Sequence, residues 1–287
     1  MSWVRTPLAA PISSLHRDTQ SPLPRATKFT PVAASALAKS PKNLYAGTSG
    51  WAYPTWKPGF YPADLPPRAF LHNYAARLTS VEVNYTFRTL PEPEQLQGWL
   101  DATPPGFRFT FKAPQTITHF QRLVASEAAV AELIASIEPA RAAQKFGCLL
   151  FQLPPNFAAD PIRLTTFLAL PSFADKSLKL AFEFRHASWF ADPILEILRR
   201  HNVALCTAET DDLLTPDIAT ADFRYFRLRR SGGYKPRELK AFAARFSELA
   251  KTQEVFAYFK HEDEPTGALN ALALLKAANT LARKAAA

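Results

Sequence analysis

Eight short apolar runs, each followed by a longer stretch with helical spacing, constrain this chain more than any other feature. The runs are residues 44–49, 80–84, 107–112, 147–152, 178–185, 203–209, 223–229 and 255–260. Each is rich in aliphatic or aromatic residues and has the length of a strand. Residues 68–78, 93–102, 126–144, 161–170, 192–201, 236–251 and 267–283 instead space their apolar side chains among Ala, Leu, Glu and Lys, as amphipathic helices do. Two of these open on Asp160-Pro161 and Asp192-Pro193, an N-cap aspartate with proline at the first helical position. Residues 211–218 lack helix signals and read as a short turn. Strand–helix alternation calls for a parallel sheet. Eight strands in about 245 residues fit a closed (β/α)₈ barrel. An open doubly wound sheet also alternates, but no G-x-G-x-x-G fingerprint follows any run. The expected fold is α/β: a single (β/α)₈ TIM-like barrel over residues 43–287, with a disordered N-terminal extension over residues 1–42.

The extension is read from its charge and its prolines. Six basic residues face only Asp18, a net of +5 out of +9, leaving +4 for residues 43–287. Basicity is therefore weak evidence that the barrel itself binds nucleic acid. Pro7, Pro11, Pro22, Pro24, Pro31 and Pro41 interrupt any amphipathic helix of the transit-peptide kind, and no apolar secretory core follows Arg5. An over-extended start or a flexible arm is expected, and a cytoplasmic protein. No stretch is long and apolar enough to span a bilayer, so no membrane partner is expected. Cys148 and Cys206, each inside an apolar run, read as buried free thiols.

Strands of a barrel covered by helices are apolar on both faces. Here the runs begin that way and end polar. The second ends in Glu82 and Asn84, two apart and so on one face. The third ends in Lys112, the fourth in Gln152, the fifth in Glu183 and Arg185 followed by His186. The sixth ends in Glu209, the seventh in Arg227 and Arg229, and the eighth in Lys260 followed by His261, while Trp51 follows the first. This pattern places them at the C-terminal rim, where the active sites of such barrels lie. Val81, Val83, Phe182, Phe184, Phe226 and Leu228 then face the helices. Three glutamates against Lys112, Arg185, Arg227, Arg229 and Lys260 leave two positive charges, which suit a small phosphate- or carboxylate-bearing ligand.

Each of these residues taken singly reads equally well as an ion pair closing the barrel. The set as a whole points to a functional rim, because so many buried ion pairs add little net stability. Glu82 and Glu183 are candidate paired carboxylates for proton transfer. Lys112 and the loop residue His119 are candidates for acid–base work, against a hydrogen-bonded structural role for the histidine. Trp51, Tyr53 and Trp56 form an aromatic wall or pack the first loop. No H-x-H or H-E-x-x-H spacing appears, and the surplus of Lys and Arg repels cations, so no metal is expected. With no P-loop or nucleophile elbow, no cofactor is predicted either.

Several fragments together resemble the domain of unknown function 72 family, the YecE-like proteins. They are Gly47-Thr-Ser-Gly-Trp51, Phe60-Tyr-Pro62, Val81-Glu-Val-Asn84 with Thr86-Phe87, and Lys112-Ala-Pro114 with Thr118-His119. The others are Phe151-Gln-Leu-Pro-Pro155, Phe182-Glu-Phe-Arg-His186 with Ser188-Trp-Phe190, and Tyr225-Phe-Arg227. The resemblance covers about residues 44–283. It implies a TIM barrel distantly similar to endonuclease IV but without that enzyme's metal ligands, and it assigns no reaction. Many members carry His-Gly where this chain has Arg229-Arg230, and two asparagines where it has Lys260-His261. Arg88 stands where a tyrosine is usual, so the resemblance implies a subgroup with a more charged rim. The leading expectation is a small-anion site at the rim; nucleic-acid binding or processing, and a non-catalytic sensor or scaffold, stand as alternatives.

Overall fold

The computed structural model describes residues 41–286, apart from residues 125, 211–213 and 261–262. The expected disorder of the extension falls, but for Pro41 and Lys42, outside the described residues, and so does His261.

Eight strands form: β1 (Leu44–Thr48), β2 (Ser80–Val83), β3 (Arg108–Lys112), β4 (Phe146–Gln152), β5 (Leu180–Glu183), β6 (Ala204–Glu209), β7 (Phe223–Leu228) and β8 (Glu254–Phe259). The helices are α1 (Phe70–Ala75), α2 (Pro93–Asp101), α3 (Glu127–Ala142), α4 (Pro161–Leu168), α5 (Asp192–Arg200), α6 (Pro236–Leu249) and α7 (Thr266–Ala286). Asp160 caps α4 as expected, its carboxylate accepting the Arg163 amide at 2.9 Å. For α5 the expectation fails: Ala191 holds the cap position and Asp192 lies in the first turn. Proline sits one place deeper there, so the aspartate acts on the helix dipole rather than on an orphan amide. Helix α5 buries Ile194, Leu195 and Leu198 and closes on Arg199 and Arg200, the favourable sign for a C-terminus. Between β6 and β7 no helix forms among the described residues; Leu214 folds back to bridge Glu209.

All neighbouring strands pair in parallel, in the order β1-β8-β7-β6-β5-β4-β3-β2. The remaining seam, β1 against β2, is closed by other means. Ser49 bridges Glu82, and the Gly50 amide donates to the Glu82 carbonyl at 2.8 Å. The buried Tyr74 hydroxyl accepts from the Thr48 amide at 2.8 Å and donates to the Ser80 carbonyl at 3.0 Å. Gly47 makes this approach feasible: a Cβ there would lie 1.8 Å from the Ser80 carbonyl oxygen.

Strand alternation sorts side chains into two cores. Val81, Val83, Phe182, Phe184, Phe226 and Leu228 pack outward with the helices, as expected. Tyr45, Cys148, Leu150, Cys206, Tyr225, Phe256 and Tyr258 fill the barrel interior. At mid-height Tyr258 shares hydrogen bonds with Ser80 Oγ at 2.6 Å and Thr110 Oγ1 at 2.8 Å. The interior is thus aromatic below, and the next layer up is charged.

Candidate functional site

That upper layer is centred on Arg227, 1% exposed, between Glu82 and Glu183, both fully buried. Each carboxylate comes from the last inward position of its strand. Arg227 donates to Glu82 Oε1 at 2.7 Å and, through its other terminal nitrogen, to Glu183 Oε2. The Ser49 hydroxyl donates to Glu82 Oε1 at 2.8 Å and the Tyr225 hydroxyl to Oε2 at 2.7 Å. Glu183 Oε1 accepts from Gln152 Nε2 at 2.8 Å and Arg185 Nε at 3.0 Å. Every carboxylate oxygen here therefore has a donor.

Electrostatics follow from this packing. Burial pushes the Glu82 carboxyl up, but Arg227, the Tyr225 hydroxyl and Arg229 outweigh it and hold the group below its ordinary value. Burial likewise opposes ionisation of Glu183, and Arg227, Arg185 and Arg229 bring it down to about 2. For Arg227, burial is outweighed by the two glutamates, which raise its pKa. Both carboxylates and the arginine are charged at neutral pH.

Around this triad stand three further cations. Arg185 pairs with Glu183 and is about one-third exposed. Arg229 reaches Ser49 Oγ at 3.3 Å, with no carboxylate of the described residues within ion-pair distance. Burial and the neighbouring Arg227 lower it to about 10. Lys112 lies with Nζ 3.8 Å from the centre of the Phe87 ring, also without a carboxylate partner among the described residues. Burial first, then repulsion by Arg227, lowers it to about 8. The turn carrying Phe87 is tied to β3 by Thr86 Oγ1, which donates to the Lys112 carbonyl at 2.7 Å. His119 meets the same Phe87 ring edge-on at 5.1 Å. It sits on a π-helical turn, Thr116–Phe120, with Nδ1 2.9 Å from Thr118 Oγ1. Burial, with Lys112, Arg185 and Arg122 nearby, lowers its pKa. Asn84 Oδ1 and Arg227 Nε are buried without a hydrogen-bond partner.

The structure thus brings together Glu82, Lys112, Gln152, Glu183, Arg185, Arg227 and Arg229, with His119 beside them across Phe87. Other expected residues make contacts with partners outside this cluster. Glu209 is on the outward parity of β6 and pairs with Arg230, which also holds Glu238. Lys260 reaches Ser231 Oγ at 3.2 Å. His186 caps the short 3₁₀ turn Ala187–Phe190, its Nδ1 2.8 Å from Ser188 Oγ. Trp56 is fully buried among Phe60 and Tyr61, and Trp51 packs edge-on against Trp99 at 5.2 Å. Sequence reasoning overlooked Tyr225 and Phe87 as members of the site. Tyr225 was legible from parity, since it lies two residues from Arg227 on its own strand. Phe87 was not, because a turn delivers it.

A separate cleft of about 660 Å³ opens between the start of α3 and α4, lined by Leu123, Val124, Ile162 and Phe167 among others. Its polar members pair locally, Asp160 with Arg163 and Glu127 with Ser172, and it shares no residue with the rim. Among the described residues no three His, Cys, Asp or Glu converge as metal ligands. No described helix is long and apolar enough to cross a membrane.

Comparison with known proteins agrees with the barrel. A curated relative, UPF0759 protein YecE of Escherichia coli K12, is 32% identical over 151 residues, 52% of this chain and 50% of its own. UPF0759 protein YunF of Bacillus subtilis is 27% identical over 157 residues, 53% of this chain and 54% of its own. The chain spans about half the length of the curated relatives it matches. A crystal structure of a DUF72 family protein from Thermotoga maritima superposes with a TM-score of 0.69 at 29% identity, covering 81% of this chain and 98% of that one. A second, from Enterococcus faecalis, gives 0.65 at 21% identity over 82% and 97%, a likeness of fold. Residues 45–287 match the family described as "Protein of unknown function DUF72", and the chain belongs to that family.

Proposed function

We propose that the C-terminal rim of this barrel binds a small ligand carrying a phosphate or carboxylate. The observation that carries this reading is the charge balance of the cluster: two buried carboxylates face Arg227, Arg185, Arg229 and Lys112. The surplus sits on Arg229 and Lys112, the two cations of this cluster without a carboxylate partner among the described residues. Holding unpaired cations in a desolvated layer is costly, and an anion offsets that cost. In this reading Glu82 and Glu183 hold Arg227 in place rather than act as bases, because their oxygens are engaged and their pKa values are depressed. Arg185 and Arg229 offer guanidinium donors suited to two-pronged contact with an oxyanion.

Calorimetric titration with sulfate at low ionic strength tests this. One site per chain is expected, and Arg229→Met should weaken it roughly 10- to 100-fold, the loss of a charge-assisted hydrogen bond. Binding that is absent, or unaffected by Arg229→Met, refutes the reading. A short oligonucleotide added in parallel tests the competing class of ligand; a sulfate-insensitive, salt-steep interaction would favour it.

A further inference from the structure

We propose that Lys112 is a reactive amine that forms an imine with a small carbonyl compound bearing a carboxylate or phosphate. This deepens the anion-site reading and rests on it.

Lys112 ends β3 pointing toward the rim, partly exposed and so reachable from solvent. Its ammonium lies over an aromatic face and has no carboxylate of the described residues within ion-pair distance. The groups facing it are Arg227 from β7, Arg185 beyond β5, Glu82 from β2 and Glu183 from β5, with His119 across Phe87. Both glutamates are committed to Arg227. The lysine is therefore hemmed by cations and desolvated, the two conditions that release a neutral amine near physiological pH. The same cations would hold an anionic group of the substrate beside it.

A second desolvated lysine provides the contrast. Lys145 is also shifted downward by burial, but its ammonium donates to the Leu100 and Thr103 carbonyls, each at 2.6 Å. Those bonds occupy its protons and aim it at the protein. Among the described residues Lys112 has no such acceptors.

The chemistry balances without a redox partner. The Lys112 nitrogen lone pair attacks the carbonyl carbon, giving a carbinolamine after proton transfer from nitrogen to oxygen. The carbon–oxygen bond then breaks, the oxygen leaves as water with a proton taken from solvent or from His119, and a carbon–nitrogen double bond remains.

The test uses the full chain with cyanoborohydride and either glyoxylate or glycolaldehyde phosphate, followed by peptide mapping. Neutral glycolaldehyde is the control, and sulfate titration is run on the same preparation. The expected result is reductive labelling at Lys112 at least tenfold above Lys145 and above the neutral control, rising to a midpoint near pH 8 and suppressed by sulfate. Sulfate binding without preferential labelling of Lys112 overturns the imine proposal and leaves the anion site standing. Failure of both overturns both.

Discussion

Removing Arg227 should be the most damaging single change in the rim, and its cost should depend on pH in a defined direction. Arg227→Met leaves Glu82 and Glu183 in a fully buried layer with only neutral donors and the partly exposed Arg185. Breaking a buried ion pair from one side costs about 3–5 kcal/mol. For a chain of this size that corresponds to a loss of roughly 6–20 °C in melting temperature. In the wild type, both glutamate pKa values lie below the unfolded value, so their contribution is present above about pH 4.5 and lost as pH falls through the folded pKa. In the variant, burial without the arginine raises both pKa values above the unfolded one, so its penalty is full at neutral pH and eases as the glutamates protonate. The gap between the two proteins should therefore narrow from pH 7.5 to about pH 5. Urea unfolding across that range measures it. A triple variant, Arg227→Met with Glu82→Gln and Glu183→Gln, should recover at least about 2 kcal/mol, because no buried charge is left unpaired. A single variant costing under about 1 kcal/mol, or a gap that widens toward acid, would refute this account of the triad.

Two further outcomes follow from the same geometry. Gly47→Ala should open the β1–β2 seam, since its methyl would meet the Ser80 carbonyl oxygen at 1.8 Å; loss of soluble protein, or destabilisation by about 3 kcal/mol or more, is expected in denaturation. Sulfate affinity should fall as pH rises through about 8, where Lys112 loses its proton, while protein stability rises with pH between about 8 and the unfolded lysine value of roughly 10.4. Paired calorimetric and urea titrations over pH 7–10 read both signs.

The barrel was legible because its pattern is redundant. Parity placed Glu82, Glu183, Arg227 and Lys112 inward from their strand positions alone, and the same parity assigned Val81 and Phe226 to the helices. Parity failed at strand ends. Glu209 is one residue out of step with Ala204, Cys206 and Ala208, which line the interior, so it joins Arg230 instead. Lys260 and His186 belong to the loops beyond their strands, where local partners decide direction. The seam was also invisible, because the β1–β2 contact runs through the Tyr74 hydroxyl from α1 rather than through a ladder. Nor does spacing alone reveal that the two glutamates share one arginine, which makes them its holders in the proposed function.

The most direct test of the rim as an anion site is a crystal structure of the protein soaked with tungstate, read by anomalous scattering. A peak in hydrogen-bonding contact with Arg229 or Lys112, beside the Glu82–Arg227–Glu183 layer, is expected. Peaks confined to other surfaces, with the rim empty at saturating tungstate, would contradict it.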